Sequence, residues 1–173
     1  MTQQHKDYDI SWSQFEVCND NCQIAFENMC RWLFNDYFFK GKALLHSNPN
    51  HPGIEVVPQM HPESNKRISF QAKYFSTLDY DQIKHSAQKT VEYYTDQLDV
   101  VYLYCNKDVT TTSVAYQNIE KILGEAGIEL IPITNQTILE QVLKNETMAW
   151  YYFNQISLPL IWFAEQLDNN LKS

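Results

Sequence analysis

The chain has 173 residues, of which 44% are apolar, 14% aromatic and 20% charged, with 4 glycines and 6 prolines. This length and composition are typical of one packed globular domain and exclude a low-complexity tail, a collagen-like repeat or a flexible linker. The formal net charge of −8 disfavours non-specific binding to nucleic acid, so any such contact must find its positive charge locally.

The first ten residues, MTQQHKDYDI, contain no apolar signal core, and no later segment approaches the ~20 apolar residues that span a bilayer. We therefore expect a cytoplasmic protein that does not contact a membrane. Thiols stay reduced in that compartment, so the four cysteines should pack as small apolar side chains. No second ligand pair of zinc-site spacing follows Cys18 and Cys22.

The first predicted element in chain order is a helix over residues 19–38. Asn19 or Asp20 can cap it, because a short polar side chain accepts a hydrogen bond from the free N–H groups of the first turn. The apolar residues recur at helical spacing and define one buried side, formed by Cys22, Phe26, Cys30, Leu33, Phe34 and Tyr37.

Two strand candidates follow. GIEVVP, residues 53–58, is a short strand that Pro58 ends. RISFQAKYF, residues 67–75, alternates well enough to be a half-buried strand. The polar loop of residues 59–66 connects them, and a connection of that length favours antiparallel pairing. The solvent-facing side of the second strand should carry Ser69, Gln71 and Lys73.

The rest of the chain alternates between helices and strands. DVVYLYCN is a continuous apolar run, typical of a central strand covered on both faces, and IELIPI is a further strand. Strand, helix, strand, helix, strand in this order implies parallel pairing through right-handed crossovers, and hence an α/β fold. The predicted helices cover residues 80–98, 115–126 and 136–144, and Pro159 interrupts the aromatic tail that follows.

The polar face of the RISFQAKYF strand could form a metal site. Gln71 and Lys73 project the same way, with Cα atoms roughly 6.6 Å apart, and the hairpin partner could add the carboxylate of Glu55. Two side-chain oxygens and a backbone carbonyl would suit Mg²⁺, which accepts one or two carboxylates and keeps several waters. Such a metal with a nearby ammonium group can support phosphodiester hydrolysis without a serine or cysteine nucleophile.

Each of these residues also has a structural interpretation. Glu27 has Arg31 four residues later, so the two could form a surface helix pair worth ~0.3 kcal/mol. Glu55 could be a solvent-facing strand residue. A single Gln-x-Lys pattern is common by chance, and on that pattern alone a structural role is favoured.

The order of four segments, FENMCRWLF, PGIE, FQAKYF and DYDQIKHSAQKTVEYY, resembles the restriction-endonuclease-like PD-(D/E)XK nucleases. It is most similar to the Mrr-like branch, whose second motif is Gln-x-Lys, and to the nuclease modules at the N-termini of antiviral STAND NTPases. The resemblance spans residues 26–133. It implies an αβββαβ core whose central mixed sheet is flanked by helices.

The resemblance also implies roles for individual residues. Glu55 stands at the first motif, where most members have Asp, and Gln71 and Lys73 stand at the second, where most have a carboxylate in place of Gln71. Glu27 occupies the place of a helical acid that many members add to the metal site. Metal ligands would then be Glu55, Gln71 and Glu27, with Lys73 beside the attacking water. Candidate substrate-binding residues on the next helix are Gln82, Lys84, Ser86 and Lys89.

The expected function is that of a Mg²⁺-dependent DNA endonuclease in antiphage defence, with Mn²⁺ as a substitute metal, cutting double-stranded DNA with little sequence preference. We expect a single nuclease domain with its core at residues 19–145, followed by a helical segment, residues 146–173, that contacts further domains. The resembling proteins act as homo-oligomers assembled by NTPase and sensor domains. Two alternatives stay open: a catalytically silent binding domain with the nuclease fold, and a structure-selective enzyme resembling junction resolvases.

Overall fold

The computed structural model describes residues 9–46, 52–156 and 158–172. Within them, seven helices and a four-stranded sheet form a mixed α/β structure. Asn21–Ile138 form one compact unit, and the described residues of Met1–Asp20 and Leu139–Ser173 form a second. The elements are α1 Trp12–Cys18, α2 Cys22–Phe39, β1 Gln59–Met60, β2 Arg67–Lys73, α3 Tyr80–Tyr94, β3 Val100–Cys105, α4 Val114–Glu125, β4 Glu129–Thr134, α5 Asn135–Leu143, α6 Glu146–Phe153 and α7 Leu158–Lys172.

The sheet lies in the larger unit and has the strand order β1-β2-β3-β4. β1 pairs antiparallel with β2, whereas β2, β3 and β4 are parallel neighbours. The predicted parallel arrangement is confirmed, since α3 and α4 lie in the two crossovers. Lys73 pairs with Cys105, and Cys105 with Thr134, so the carboxyl ends of the three parallel strands lie level.

The sheet is covered on both faces. On one face, the ring of Phe38 in α2 packs with its centroid 4.4 Å from that of Tyr102 in β3. The next residue of β3, Leu103, points to the opposite face because side chains alternate along a strand. There it joins a buried cluster with Ile83 of α3 and Ile119 of α4.

The prediction of a strand over residues 53–58 is wrong, since the structure has no strand there. This segment follows β2 without forming a regular ladder: the N–H of Glu55 donates to the carbonyl of Phe70 at 2.9 Å. The next contact comes from a side chain, since Ser69 Oγ donates to the carbonyl of Val56 at 2.6 Å. The short antiparallel pairing with β2 is instead made by β1, just after Pro58.

The polar face of β2 does not face solvent, as the alternation had suggested. Ser69 is fully buried and bonds to residues 53–58, here called the edge segment, and Gln71 is 1% exposed and bonds to Thr90 of α3. Their polar character reflects internal hydrogen bonding rather than contact with water.

The predicted helices are present with shifted ends. Asn21 caps α2 by accepting from the N–H of Ile24 at 3.1 Å, so neither Asn19 nor Asp20 is the cap. α3 ends at Tyr94, four residues earlier than expected. Pro159 lies in the first turn of α7, where no intrahelical hydrogen bond needs its missing N–H. No helix in the described part of the chain has the length and apolar composition to cross a bilayer.

The smaller unit is built on the packing of α1 against α6. Phe15 of α1 is fully buried, and its ring centroid lies 5.5 Å from that of Phe153 in α6. Gln14 Nε2 donates to the carbonyl of Phe153 at 2.9 Å, and Asn19 Nδ2 donates to that of Tyr152 at 3.0 Å. Residues 146–173, which we expect to contact further domains, begin in this unit, and Trp150 among them is 53% exposed. The side chains of residues 157–164 lie outside the described part.

Candidate active site

The fold brings Glu27, Glu55 and Lys73 together in the larger unit. Glu27 lies on α2, Glu55 on the segment that follows the edge of β2, and Lys73 is the last residue of β2. The charges of Glu27 and Glu55 act on each other and on the Lys73 ammonium group. All three residues are half-buried. The residues predicted from three separate stretches of sequence therefore share one locality.

Glu55 sits in an environment that opposes its negative charge. Burial raises the pKa of its carboxyl group, and the nearby carboxylate of Glu27 raises it further. Three groups act the other way: the backbone N–H of Ala72, which donates to Glu55 Oε1 at 3.2 Å, and the cations of Lys73 and Arg31. Because burial and the Glu27 carboxylate outweigh these three groups, a cation bound between the carboxylates would stabilise the charged form of Glu55.

Lys73 is a desolvated cation beside these two acids. Burial lowers the pKa of its ammonium group, while Glu55 and Glu27 favour its charged form. Lys73 takes part in none of the salt bridges found among the described residues. Its ammonium group is thus held near the acids without being consumed by a direct ion pair.

Gln71 is positioned differently from the other predicted ligands. Its Nε2 donates to Thr90 Oγ1 at 3.2 Å, and Thr90 in turn donates to the carbonyl of Ser86 at 2.8 Å. The side chain is therefore anchored to α3 on the buried face of β2. This anchoring fixes the orientation of the amide and provides a structural role for the residue.

The predicted surface pair between Glu27 and Arg31 is not formed among the described residues. Glu27 Oε1 instead accepts a hydrogen bond from Gln23 Nε2 at 2.8 Å, and Arg31 donates to Asn28 at 2.8 Å. Arg31 still contributes its charge to the site by favouring ionised Glu55. The buried thiol of Cys30 lies nearby, with its pKa raised by burial and by Glu55, and is therefore a packing group.

Two amide side chains that sequence reasoning missed hold the backbone on either side of Lys73. Gln23 donates to the carbonyl of Ala72 at 3.1 Å and accepts from the N–H of Tyr74 at 3.0 Å. Asn106, 2% exposed, bonds both the N–H and the carbonyl of Phe75 at 2.8 Å. The spacing of four residues between Gln23 and Glu27 was a signal in the sequence, but it is common on surface helices.

The predicted substrate-binding residues all lie on α3 but differ in accessibility. Gln82 and Lys84 are exposed near its N-terminal end, where Gln82 also donates to the cap residue Asp79. Ser86 is 8% exposed. Lys89 pairs with Glu92 at 3.6 Å. Of the four, Gln82 and Lys84 are the most available to a substrate.

The donor set at Glu27 and Glu55 fits a hard divalent cation. Both offer carboxylate oxygens, which Mg²⁺ prefers, and the repulsion between them is the strain that a cation would remove. No group of three or more His, Cys, Asp or Glu side chains suited to a metal occurs in residues 9–46, 52–156 and 158–172. A metal held by these two acids would therefore need water, an amide, a backbone carbonyl or substrate phosphate as further ligands.

No protein-family model matches this sequence, and a search of curated proteins finds no significant match. A function for the chain is therefore inferred from the side chains that the fold brings together. Among these, Glu27, Glu55 and the adjacent Lys73 form the group best suited to bind a metal and support a reaction.

Proposed function

We propose that this chain is a Mg²⁺-dependent DNA endonuclease domain, with Mn²⁺ as a substitute metal. The observation that carries the proposal is the convergence of Glu27, Glu55 and Lys73, in which two acids repel each other beside a desolvated ammonium group. Such a site suits a reaction that needs a bound divalent cation and a positive group near a phosphate. The PD-(D/E)XK-like order of the motifs supports the same assignment.

Each residue has a distinct role in this proposal. Glu55 and Glu27 would hold the metal, with the amide oxygen of Gln71 as a further ligand. Bound Mg²⁺ would lower the pKa of an attacking water and offset negative charge on the phosphate. Lys73 orients that water and stabilises the charge that develops on the phosphate oxygens. Lys84 and Gln82, exposed on α3, contact the DNA backbone.

The biological setting that we propose is antiphage defence in the cytoplasm, which rests on the resemblance to STAND NTPase effector modules. The net charge of −8 makes the isolated domain a weak binder of DNA, since phosphate contacts dominate such affinity. Homo-oligomeric clustering through NTPase and sensor domains would raise its effective concentration on double-stranded DNA. Cleavage of this DNA would have little sequence preference.

The test is degradation of supercoiled plasmid at high protein concentration with Mg²⁺, Mn²⁺ or EDTA. Wild type should cut with either metal and not with EDTA, and Lys73→Ala or Glu55→Ala should lose cleavage. Lys121→Ala and Glu125→Ala are matched controls, since these exposed residues of α4 pair with each other at 3.9 Å. If Lys73→Ala and Glu55→Ala both cut as well as the controls, the assignment is wrong.

A second candidate is a catalytically silent binding domain that keeps this fold. It is favoured by one observation: Gln71 is 1% exposed and anchored to Thr90, which explains its presence without a metal. This candidate predicts that wild type binds no Mn²⁺ and shows no divalent-dependent cleavage even at millimolar metal. Calorimetric titration with Mn²⁺ separates the two candidates.

A further inference from the structure

Gln23 makes three hydrogen bonds with its side-chain amide. Its Nε2 donates to Glu27 Oε1 at 2.8 Å and to the carbonyl of Ala72 at 3.1 Å, while its Oε1 accepts from the N–H of Tyr74 at 3.0 Å. Both amide hydrogens and the amide oxygen are thus engaged. One side chain in the first turn of α2 links a carboxylate to the edge of β2.

The hydrogen bonds of Gln23 surround Lys73 and reach Glu27. Ala72 and Tyr74 are the residues on either side of Lys73, so Gln23 fixes the backbone from which that lysine projects. The same amide orients the carboxylate of Glu27 by occupying one of its oxygens. Gln23 therefore sets where the helical acid lies relative to the lysine, although α2 and β2 are far apart in sequence.

We propose that Gln23 is a positioning residue of the active site, which holds the Glu27 carboxylate in a metal-binding orientation and aligns it with Lys73. This inference rests on the proposed function. Groups that hydrogen-bond to metal-binding carboxylates fix their orientation, and removing such a group typically weakens metal binding by ten- to a hundredfold. An amide suits the position because it donates to two acceptors and accepts from one donor without adding charge.

Asn35 provides a matched control on the same helix. Its Nδ2 donates to the carbonyl of Ala43 at 2.9 Å, and its Oδ1 accepts from the N–H of Ala43 at 3.0 Å. Like Gln23, it attaches α2 to a neighbouring segment through backbone bonds in both directions. It lies about 18 Å further along the axis of α2 and touches none of the site residues in the described hydrogen bonds.

The test measures Mn²⁺ binding by calorimetry, together with the Mg²⁺ concentration that gives half-maximal plasmid cleavage. Gln23→Ala and the length-matched Gln23→Met should both weaken Mn²⁺ binding by roughly ten- to a hundredfold and raise the Mg²⁺ requirement similarly. Asn35→Ala should lower the melting temperature but bind Mn²⁺ like wild type. Gln23→Met retains the packing of the side chain, so it reports on the site even if Gln23→Ala folds poorly.

The outcomes separate this inference from the proposed function. If wild type binds Mn²⁺ and cleaves DNA, but the Gln23 variants bind Mn²⁺ as tightly as Asn35→Ala, Gln23 only joins the helix to the strand and the inference is overturned. If wild type neither binds Mn²⁺ nor cleaves, the proposed function fails and the positioning role is overturned with it. Weaker metal binding confined to the Gln23 variants supports both.

Discussion

Thr90 Oγ1 accepts a hydrogen bond from Gln71 Nε2 at 3.2 Å while donating its own proton to the carbonyl of Ser86 at 2.8 Å. Because the hydroxyl has one proton and that proton is committed to Ser86, Thr90 can only accept from Gln71. The amide must therefore present its nitrogen to α3, with its oxygen on the other side of the group. Gln71 is thus anchored through Nε2, whereas the atom that could bind a metal is Oε1.

The first prediction concerns Gln71→Glu. A carboxylate cannot donate to Thr90, so this variant places a buried charge without its hydrogen bond, and in EDTA we expect a loss of roughly 1–3 kcal/mol or more. If the side chain reaches the metal, Mg²⁺ or Mn²⁺ should restore much of this stability, because a third carboxylate strengthens binding. Urea unfolding with and without metal measures both effects. A loss that persists at millimolar metal would place Gln71 outside the metal site.

The second prediction compares two glycines with the same backbone conformation. Gly53 has φ +77° and Gly127 has φ +75°, but a Cβ on Gly53 would lie 2.4 Å from the Ser86 carbonyl oxygen, whereas Gly127 has open space. Gly127→Ala should cost about 1–2 kcal/mol, and Gly53→Ala roughly 2–5 kcal/mol, because α3 must also shift. Gly53→Ala should further reduce cleavage, since Glu55 follows two residues later.

Chemical denaturation of the two variants under identical conditions provides the measurement. Equal losses would mean that the edge segment does not approach α3 as closely as the structure has it. A normal cleavage rate in a destabilised but folded Gly53→Ala would mean that the position of the edge segment does not affect cleavage.

The third prediction concerns pH and the pairing of Asp99 with Arg67. Asp99 accepts from the Arg67 backbone N–H at 2.7 Å and from its guanidinium group at 2.9 Å, and these bonds lower the pKa of Asp99 to about 2. A depressed carboxyl pKa stabilises the fold above the unfolded value of about 3.9, and this stability is lost as pH falls through about 2. Asp99→Asn should therefore cost about 1 kcal/mol at neutral pH.

The difference between Asp99→Asn and wild type should be constant above about pH 5 and shrink as the solution is acidified toward pH 3. Urea unfolding across this range measures it. Glu125→Gln is the control, because its pair with Lys121 is exposed and long, at 3.9 Å. A difference that does not change with pH would mean that the asparagine variant loses packing rather than charge.

The fourth prediction uses the opposite shift at Glu55. Its pKa is raised by burial and by Glu27, so the fold loses stability as pH rises from the unfolded carboxyl pKa of about 4.3 to the higher pKa of the folded state. In EDTA at pH 7.5, Glu55→Gln should melt at a higher temperature than wild type, and the gap should close near pH 4. Added Mn²⁺ should raise the melting temperature of wild type more than that of Glu55→Gln, since the variant keeps only the Glu27 carboxylate as an acidic ligand.

A lower melting temperature of Glu55→Gln in EDTA would contradict the unfavourable environment of the acid. Glu125→Gln serves again as the charge-matched control, because that carboxylate is exposed on α4. Differential scanning fluorimetry at several pH values is sufficient for this comparison.

Sequence periodicity predicted the parallel sheet because β3 and β4 are apolar runs separated by an amphipathic helix. It failed at residues 53–58, where a side-chain bond from Ser69 replaces part of the strand ladder and no residue pattern records this. It also assigned the polar face of β2 to solvent, since alternation alone cannot distinguish water from a helix with a hydroxyl such as that of Thr90. Local patterns do not contain such long-range partners.

The candidate site was predictable to a similar degree. Glu27, Glu55 and Lys73 were named from the order of motifs, and the fold brings them together. Gln23 was missed because an amide on the first turn of a helix looks like an ordinary surface residue. Its partners, Ala72 and Tyr74, offer only backbone atoms, which leave no trace in the sequence.

The most direct measurement of the central claim is a crystal of the wild-type domain soaked in Mn²⁺, with anomalous difference density calculated at the manganese edge. We predict a peak within bonding distance of carboxylate oxygens of both Glu55 and Glu27, with Lys73 beside it, and no such peak in Glu55→Gln crystals. The absence of a peak there at millimolar Mn²⁺, or an equal peak in Glu55→Gln, would contradict a metal-dependent nuclease site.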